Sequence, residues 1–298
     1  MTRTTPPRPV DVVALYSELG PLARTATRLH PRRGIPAAAQ SSIGGPLLWP
    51  AGEAWPVCPR TRHESYRGVH AGQSPLVPAL QLYVRDVPGL PHPAGADLLQ
   101  ILWCPLDEVE AFEEPLLLWR DAASVDAPLD VSPDPHPEAD GELIPRPCVI
   151  DPEEMTDYPY SDAPESLYER FREHDEPFIE EDREGWSMWD LLVMPGCKVG
   201  GYPSWTQPPN WPDCPKCGQG MHHLLTLSGD EGGRMWIPRE EWATAGYSGG
   251  ITEAAGGTEA AETNRHPLDM TFGDVGGFYV FYCPSCPDMP LASWFDCG

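Results

Sequence analysis

The sequence predicts a mainly β protein, all-β apart from a few short helices, in which an internally duplicated β unit forms one pseudo-symmetric globule. Three observations predict it. First, "IGGPLLWPAGEAWPVCPRT" (43–61) returns as "VGGYPSWTQPPNWPDCPKC" (199–217). At an offset of 156 residues Gly44-Gly45 meets Gly200-Gly201, Trp49 meets Trp205, Trp55-Pro56 meets Trp211-Pro212 and Cys58-Pro59 meets Cys214-Pro215, seven identities in nineteen without a gap. Second, the apolar runs "LVPALQLYV" (76–84), "ADLLQILWC" (96–104), "MHHLLTLS" (221–228) and "GGFYVFYC" (276–283) have the length, the bounding Pro, Gly and Asp, and the β-branched and aromatic content of strands. Third, these runs repeat as well, "LQL" (80–82) with "LTL" (225–227) and "ILWCP" (101–105) with "VFYCP" (280–284). Two such units can bury one shared core that neither buries alone.

Taken in order, residues 1–39 read as an N-terminal helical segment. "DVVALYSELGPLARTATRLH" (11–30) places Val12, Tyr16 and Leu19 on one helical face, then Ala23, Ala26 and Leu29 on another after the Gly20-Pro21 break, which predicts two short helices. Residues 40–110 are the first β repeat. Residues 111–195 are an acidic, Pro-rich connecting insertion with one helix, "APESLYERFREH" (163–174), where Leu167 and Phe171 lie four apart behind a Pro-Glu start, and with a mobile surface loop at "DVSPDPHPEADGE" (130–142). Residues 196–298 are the second β repeat, with a helical turn at "IPREEWATAG" (237–246) and a Gly- and Ala-rich loop over 247–266 outside the core. All four segments are expected in one compact domain. Paired glycines permit tight turns or close backbone approach, and the repeated tryptophans fit a β core, where large aromatics dominate the packing.

Composition narrows the function. A chain of 298 residues with 41% hydrophobic residues and eleven Trp has the content of a packed globule. The basic, Pro-rich start lacks an apolar h-region and no window approaches eighteen uninterrupted apolar residues, so neither secretion nor a membrane role is expected. Nine cysteines, an odd number, with four in two Cys-x-x-Cys pairs, fit a reducing cytoplasm better than a disulfide framework. The net charge is -25, and between Asp107 and Asp190 there are 27 Asp or Glu against five Arg. Such a surface repels phosphate backbones, which argues against nucleic acid as a partner; it serves solubility and matches a basic protein. Nothing in the sequence sets the oligomeric state.

The chemistry-bearing residues are the cysteines. "CPKCG" (Cys214, Cys217) and "CPSCP" (Cys283, Cys286) are two knuckles, each turning two thiolates toward one cation, and together they make the closed four-sulfur set of structural zinc. The 65 intervening residues (218–282) exceed the roughly 15 to 20 of a compact ribbon. The repeat closes that gap, since the Cys after Trp-Pro and the Cys at the strand end occupy matching positions in both halves. In the first half the matching four are Cys58, Thr61, Cys104 and Asp107. Thr is a poor zinc ligand, so an empty remnant is the favoured expectation there; the alternative is an open site of Cys58 and Cys104 with His63 or Asp107. His222, His223 and His266 are candidates to replace one cysteine of the second site, but strand alternation turns only one of His222 and His223 to a given face, and the all-cysteine set is kept. Cys148, Cys197 and Cys297 receive no role. A redox use of the Cys-x-x-Cys pairs lacks the strand-to-helix setting that thioredoxin-like motifs need. No Gly-x-Ser-x-Gly, phosphate-binding Gly-Lys-Ser/Thr or His-Glu-x-x-His occurs.

"KVGGYPSWTQ", "CPKCGQGMHHLLTL" and the closing "GDVGGFYVFYCPSC" together resemble the bacterial YwqG-like family, related at a distance to the eukaryotic programmed-cell-death protein two group, whose members look like dedicated chaperones for a ribosomal protein. The resemblance covers residues 40–110 and 195–298. It implies an all-β fold made by duplication of a strand-exchanging unit, a role in binding other proteins, and zinc-type ligands at Cys214, Cys217, Cys283 and Cys286. The expectation is therefore a non-enzymatic, zinc-stabilised, chaperone-like protein of the cytoplasm that binds a protein partner of basic character, with zinc as folding energy. Two alternatives stand beside it: an immunity-type antagonist whose acidic surface blocks a basic toxin, and a metalloenzyme using the degenerate first-repeat site. Nucleic-acid binding by the knuckles ranks last, because Lys216 is their only lysine.

Overall fold

The two copies fold alike down to their irregularities. The computed structural model describes residues 2–65, 68–106, 112, 114–180, 185–242, 258–273 and 276–296. Its strands, in chain order, are β1 (Arg24–Arg28), β2 (Arg32–Arg33), β3 (Ser42–Ile43), β4 (Arg62–Ser65), β5 (Gly68–Ala71), β6 (Val77–Tyr83), β7 (Leu98–Trp103), β8 (Leu116–Arg120), β9 (Cys148–Val149), β10 (Glu153–Asp157), β11 (Lys198–Gly200), β12 (His222–Ser228), β13 (Gly277–Tyr282) and β14 (Leu291–Asp296). Among the described residues they form two six-stranded antiparallel sheets, β2-β9-β3-β6-β7-β8 and β10-β1-β11-β12-β13-β14, and the separate hairpin β4-β5.

Position by position the sheets correspond. Val77 pairs with Trp103 where His222 pairs with Tyr282, and the ladder of β6 and β7 slips between Pro78 and Leu80 where that of β12 and β13 slips between His223 and Leu225. The isolated bridge Val57↔Pro75 recurs as Asp213↔Gly220. A bulge adds a residue to one strand and increases its twist. Both sheets carry one at the same place, so the repeat in the sequence is matched by a repeat in sheet geometry.

One antiparallel ribbon links the two sheets. β1 pairs with β10 from Arg24↔Asp157 to Arg28↔Glu153, and β2 continues the same register with β9 at Arg32↔Val149 and Arg33↔Cys148. Each ribbon strand thus leaves one sheet and enters the other. At the crossing, polar side chains are paired: the Arg32 guanidinium Nη2 lies 2.6 Å from Glu241 Oε2, and His30 Nε2 lies 2.9 Å from Glu153 Oε2. Burial pushes the His30 pKa down, so its neutral ring donates to the carboxylate.

The main core lies between the sheets, with Ile43, Val77, Leu80, Leu99, Ile101 and Trp103 from one and Val199, Leu225, Leu227, Phe278 and Val280 from the other. Each sheet also carries a smaller cluster, and these match at five positions: Trp49, Cys58, Leu76, Leu102 and Cys104 against Trp205, Cys214, Met221, Phe281 and Cys283. A further cluster packs Leu167 and Phe171 of the helix Glu165–Glu180 on Val12, Leu19, Ala26, Leu192 and Trp236.

The structure departs from the sequence reading in three places. In the N-terminal segment only Val12–Leu15 is α-helical and Ser17–Leu22 is a tight 3-10 turn; the predicted second helix is strand β1. The helical spacing of Ala23, Ala26 and Leu29 is coincidental, and pairing with β10 and β11 on both edges overrides it. The acidic insertion is more than a connector, since it supplies β8, the counterpart of β14, as well as β9 and β10. Of the 247–266 loop, 247–257 lies outside the described residues, and Glu259–Arg265 is a helix whose Thr258 side chain caps the Ala261 amide. No helix of the described residues is long and apolar enough to cross a membrane.

Candidate metal centre

Four sulfurs converge where the second sheet ends. Gly200 and Gly201, at φ +72° and +67°, turn the chain out of β11. An L side chain is disfavoured there, and a Cβ on Gly201 would come within 2.3 Å of Asp157 Oδ2. The extended segment that follows lays Trp205 and Trp211 against Tyr279 and Phe281, with ring centroids 4.8 Å apart for Trp205 and Tyr279 and 5.5 Å for Trp211 and Phe281. Both indole N–H groups donate to one carboxylate, Trp205 Nε1 to Asp162 Oδ2 at 3.0 Å and Trp211 Nε1 to Asp162 Oδ1 at 2.6 Å. Thus the insertion braces the segment that delivers Cys214.

The first knuckle closes through Cys214 N to Gln219 O (2.8 Å) and Gly218 N to Cys214 O (2.9 Å), with Gly218 at φ +68° completing the turn. The second follows β13 directly and closes through Cys283 N to Pro290 O (3.0 Å) and Met289 N to Cys286 O (2.9 Å). Lys216 on one knuckle forms an exposed ion pair with Asp288 on the other. The donor atoms of Cys214, Cys217, Cys283 and Cys286 all lie within 4.8 Å of one another. Cys214 Sγ is 3.9 Å from Cys286 Sγ, and Cys217 Sγ is 3.6 Å from Cys283 Sγ. A tetrahedral ion with metal–sulfur bonds of about 2.3 Å separates its sulfurs by about 3.8 Å, so the cluster has the dimensions of a four-thiolate zinc site. A disulfide bond is only about 2.05 Å long, and the eight described cysteines are free thiols.

Electrostatics prepares the knuckle for a cation. Burial pushes the Cys214 thiol up, but the backbone amides of Cys217 and Lys216, the latter 3.4 Å from the sulfur, together with neighbouring thiols bring it down to about 7. Cys286 is pushed up to about 12, first by its hydrogen bond with Cys217 and then by burial. A metal that draws in all four sulfurs therefore displaces protons as it binds. Coordination by four thiolates would be complete, which suits folding stability and leaves no position for a substrate.

The predicted cysteines come together, and the alternative histidines do not join them. His222 is exposed and packs edge-on to Tyr282; His223 is buried with Nδ1 3.0 Å from Gly200 O and Nε2 2.9 Å from Thr226 Oγ1; His266 Nδ1 faces Gly229 O at 3.1 Å. The role of Asp162 was missed, because nothing in an acidic run marks one carboxylate as internal.

In the first unit Cys58, His63 and Cys104 form a second group of potential ligands, all three buried. Thr61 is exposed, while Asp107, the position matching Cys286, lies outside the described residues. The hairpin of β4 and β5 occupies the place of the knuckle: Cys58 N donates to Ser74 O at 2.8 Å as Cys214 N does to Gln219 O, so residues 59–73 replace residues 215–218. Cys148 and Cys197 are buried elsewhere, their thiols pushed up by burial, and each faces a backbone carbonyl, Pro267 O and Ser228 O, at 3.5 Å. Cys297 lies outside the described residues.

The chain matches no protein-family model, and no curated protein matches it.

Proposed function

We propose that this chain is a non-enzymatic, zinc-clamped β protein of chaperone-like character that binds a protein partner of basic charge. The observation that carries the reading is the four-thiolate cluster, whose sulfur separations of 3.6 and 3.9 Å fit a structural ion enclosed by protein ligands alone. Binding rather than chemistry is also what the resemblance of the repeat, knuckles and aromatic strand to the YwqG-like family implies. For the partner's charge, support comes from the helix Glu165–Glu180: it buries Leu167, Phe171 and Asp175 and exposes Glu165, Glu169, Glu173 and Glu176 on one face, where Arg172 is the single basic residue among four acidic ones.

Affinity capture with the full chain from its native host, compared with the variant Glu165→Lys, Glu169→Lys, Glu173→Lys, tests the proposal. The expected result is a stoichiometric basic protein retained by the wild type, released by moderate salt and absent from the variant. Retention of the same protein by both forms, or of none by either, overturns it.

A further inference from the structure

We propose that the first unit holds a thiophilic divalent ion of its own, of the zinc class, through Cys58 Sγ, His63 Nδ1 and Cys104 Sγ. These three donors are separate from the four-thiolate cluster, and the site is independent of the protein-binding reading.

Position supports it first. Cys58 and Cys104 occupy the places of Cys214 and Cys283, in clusters that match at five positions. The framework that brings two sulfurs together in the second unit therefore brings two together in the first. What differs is the source of the next donor: hairpin β4-β5 replaces the knuckle and turns His63 inward while its neighbours Arg62 and Glu64 face solvent.

Distance and orientation support it next. The three donor atoms lie within 4.8 Å of one another, and His63 Nδ1 is 3.8 Å from Cys104 Sγ. For a tetrahedral ion with bonds of about 2.0–2.1 Å to nitrogen and about 2.3 Å to sulfur, that edge is about 3.6 Å. The other ring nitrogen, Nε2, faces Gly72 O at 3.4 Å. A carbonyl only accepts, so the proton belongs on Nε2, and Nδ1 keeps its lone pair toward the two sulfurs. Metal-bound histidines are oriented in this way, with the remote N–H given to a carbonyl or carboxylate.

Charge explains the exchange of ligand type. Two thiolates and a neutral imidazole cancel a doubly charged ion, and this group is enclosed by Leu47, Trp49, Leu76, Leu102 and Leu106, with Cys58, His63 and Cys104 only 3%, 0% and 2% exposed. Four thiolates carry two negative charges in excess, and that set sits where Cys217 reaches solvent. Burying a net charge in an apolar cluster is costly. The three donors of the neutral set are all buried, whereas the four-thiolate set has Cys217 exposed and Cys286 partly exposed.

Zinc content of the purified full chain, with X-ray absorption at the zinc edge, tests the site. The wild type is expected to carry about two equivalents, falling to about one in His63→Ala and in Cys58→Ser and also to about one in Cys214→Ser/Cys217→Ser. The absorption spectrum of the wild type, which needs no variant to fold, is expected to show fewer than four sulfurs per zinc and a histidine contribution. One equivalent with a pure four-sulfur spectrum, unchanged in His63→Ala, overturns this inference and leaves the four-cysteine clamp standing. One equivalent lost in His63→Ala and kept in Cys214→Ser/Cys217→Ser supports it while removing the clamp. No zinc in any form overturns both.

Discussion

Cys58 and Cys214 are the same point of two sheets: each amide donates over 2.8 Å to the carbonyl that closes its loop, Ser74 in one unit and Gln219 in the other, and each sulfur lies in a cluster with the cysteine that ends the next-but-one segment, Cys104 or Cys283. The matching sheet positions thus bring two sulfurs together in each half, and the loop at that point brings further potential donors beside them. A tight knuckle adds Cys217; a hairpin adds His63.

Cys217→Ser is expected to release the ion of the second unit and to weaken the protein without unfolding it, because the core between the sheets involves none of the four ligands. A cross-link joining residues 217 and 283 restrains the unfolded chain by about 4 kcal/mol, equivalent to a fall of roughly 6 °C in Tm for a chain of this size. Chelation of wild-type protein is expected to give the same shift. Zinc affinity should rise with pH, since Cys286, pushed up to about 12, surrenders its proton only on binding. Differential scanning calorimetry with and without chelator at two pH values measures both effects; an unchanged midpoint in the variant counts against the clamp.

Asp162→Ala is expected to cost about 2–3 kcal/mol, more than an ordinary surface carboxylate, because it leaves the indole N–H groups of Trp205 and Trp211 without their shared acceptor. Asp162→Asn keeps one acceptor oxygen and should cost about half as much. Urea titration followed by tryptophan fluorescence reads both the stability and the surroundings of the two rings. Equal stability of wild type and Asp162→Ala would remove the bracing role.

Much of this was legible in the sequence, and what was missed has a common physical cause. The repeat, the four central strands and the converging cysteines follow from local pattern, since alternation, aromatic content and Cys spacing are all written within a few residues. Strand β1 was not legible: Ala23, Ala26 and Leu29 satisfy a helical period, and only the distant partners β10 and β11 make Arg24–Arg28 extended. Nor was the inward turn of His63, which depends on a hairpin in the first copy that has no counterpart in the second. The acidic run misled differently. Asp157, Glu153, Asp162 and Asp175 belong to it by sequence, yet Asp157 and Asp175 are buried and accept from Lys198 and the Met188 amide, and the half-buried Glu153 and Asp162 accept from Thr5 and two indoles.

His223 gives the protein an acid-sensitive joint. Burial first, then the charge of Lys198, pushes its pKa down to about 3, and its neutral ring joins Gly200 O to Thr226 Oγ1. An unfolded chain takes up a proton at this histidine below about pH 6.5, whereas the folded one resists until about pH 3. The stabilisation is therefore complete above pH 6.5 and falls by about 1.4 kcal/mol per pH unit on acidification through that window. Replacing His223 with Gln should flatten the stability profile between pH 6 and pH 4 by about one proton. Denaturant midpoints measured across this range test it, and parallel profiles for the two proteins would show that His223 is not the titrating group.

Gly201 and Lys198 should prove energetically coupled through Asp157. Lys198 and Asp157 are both almost wholly buried, 3.2 Å apart, and Asp157 Oδ2 also accepts from the Tyr202 amide at 2.9 Å. Removing one partner of a buried pair costs about 3–5 kcal/mol, so Lys198→Met alone should be severe. Gly201→Ala introduces a methyl at a φ of +67° that would press on that same carboxylate oxygen and on Ala26 Cβ, 2.9 Å away, displacing Asp157 from its lysine. Each substitution thus breaks the same pair, and the second has less left to break. The double variant should therefore cost about 1–2 kcal/mol less than the sum of the singles. Gly200→Ala, whose Cβ would meet Thr25 O at 3.1 Å and Ala26 Cα at 3.9 Å but not Asp157, should add to Lys198→Met without coupling. A urea double-mutant cycle over the two glycines separates a defect in the turn, which would be additive at both, from displacement of the carboxylate, which is not additive at Gly201 alone.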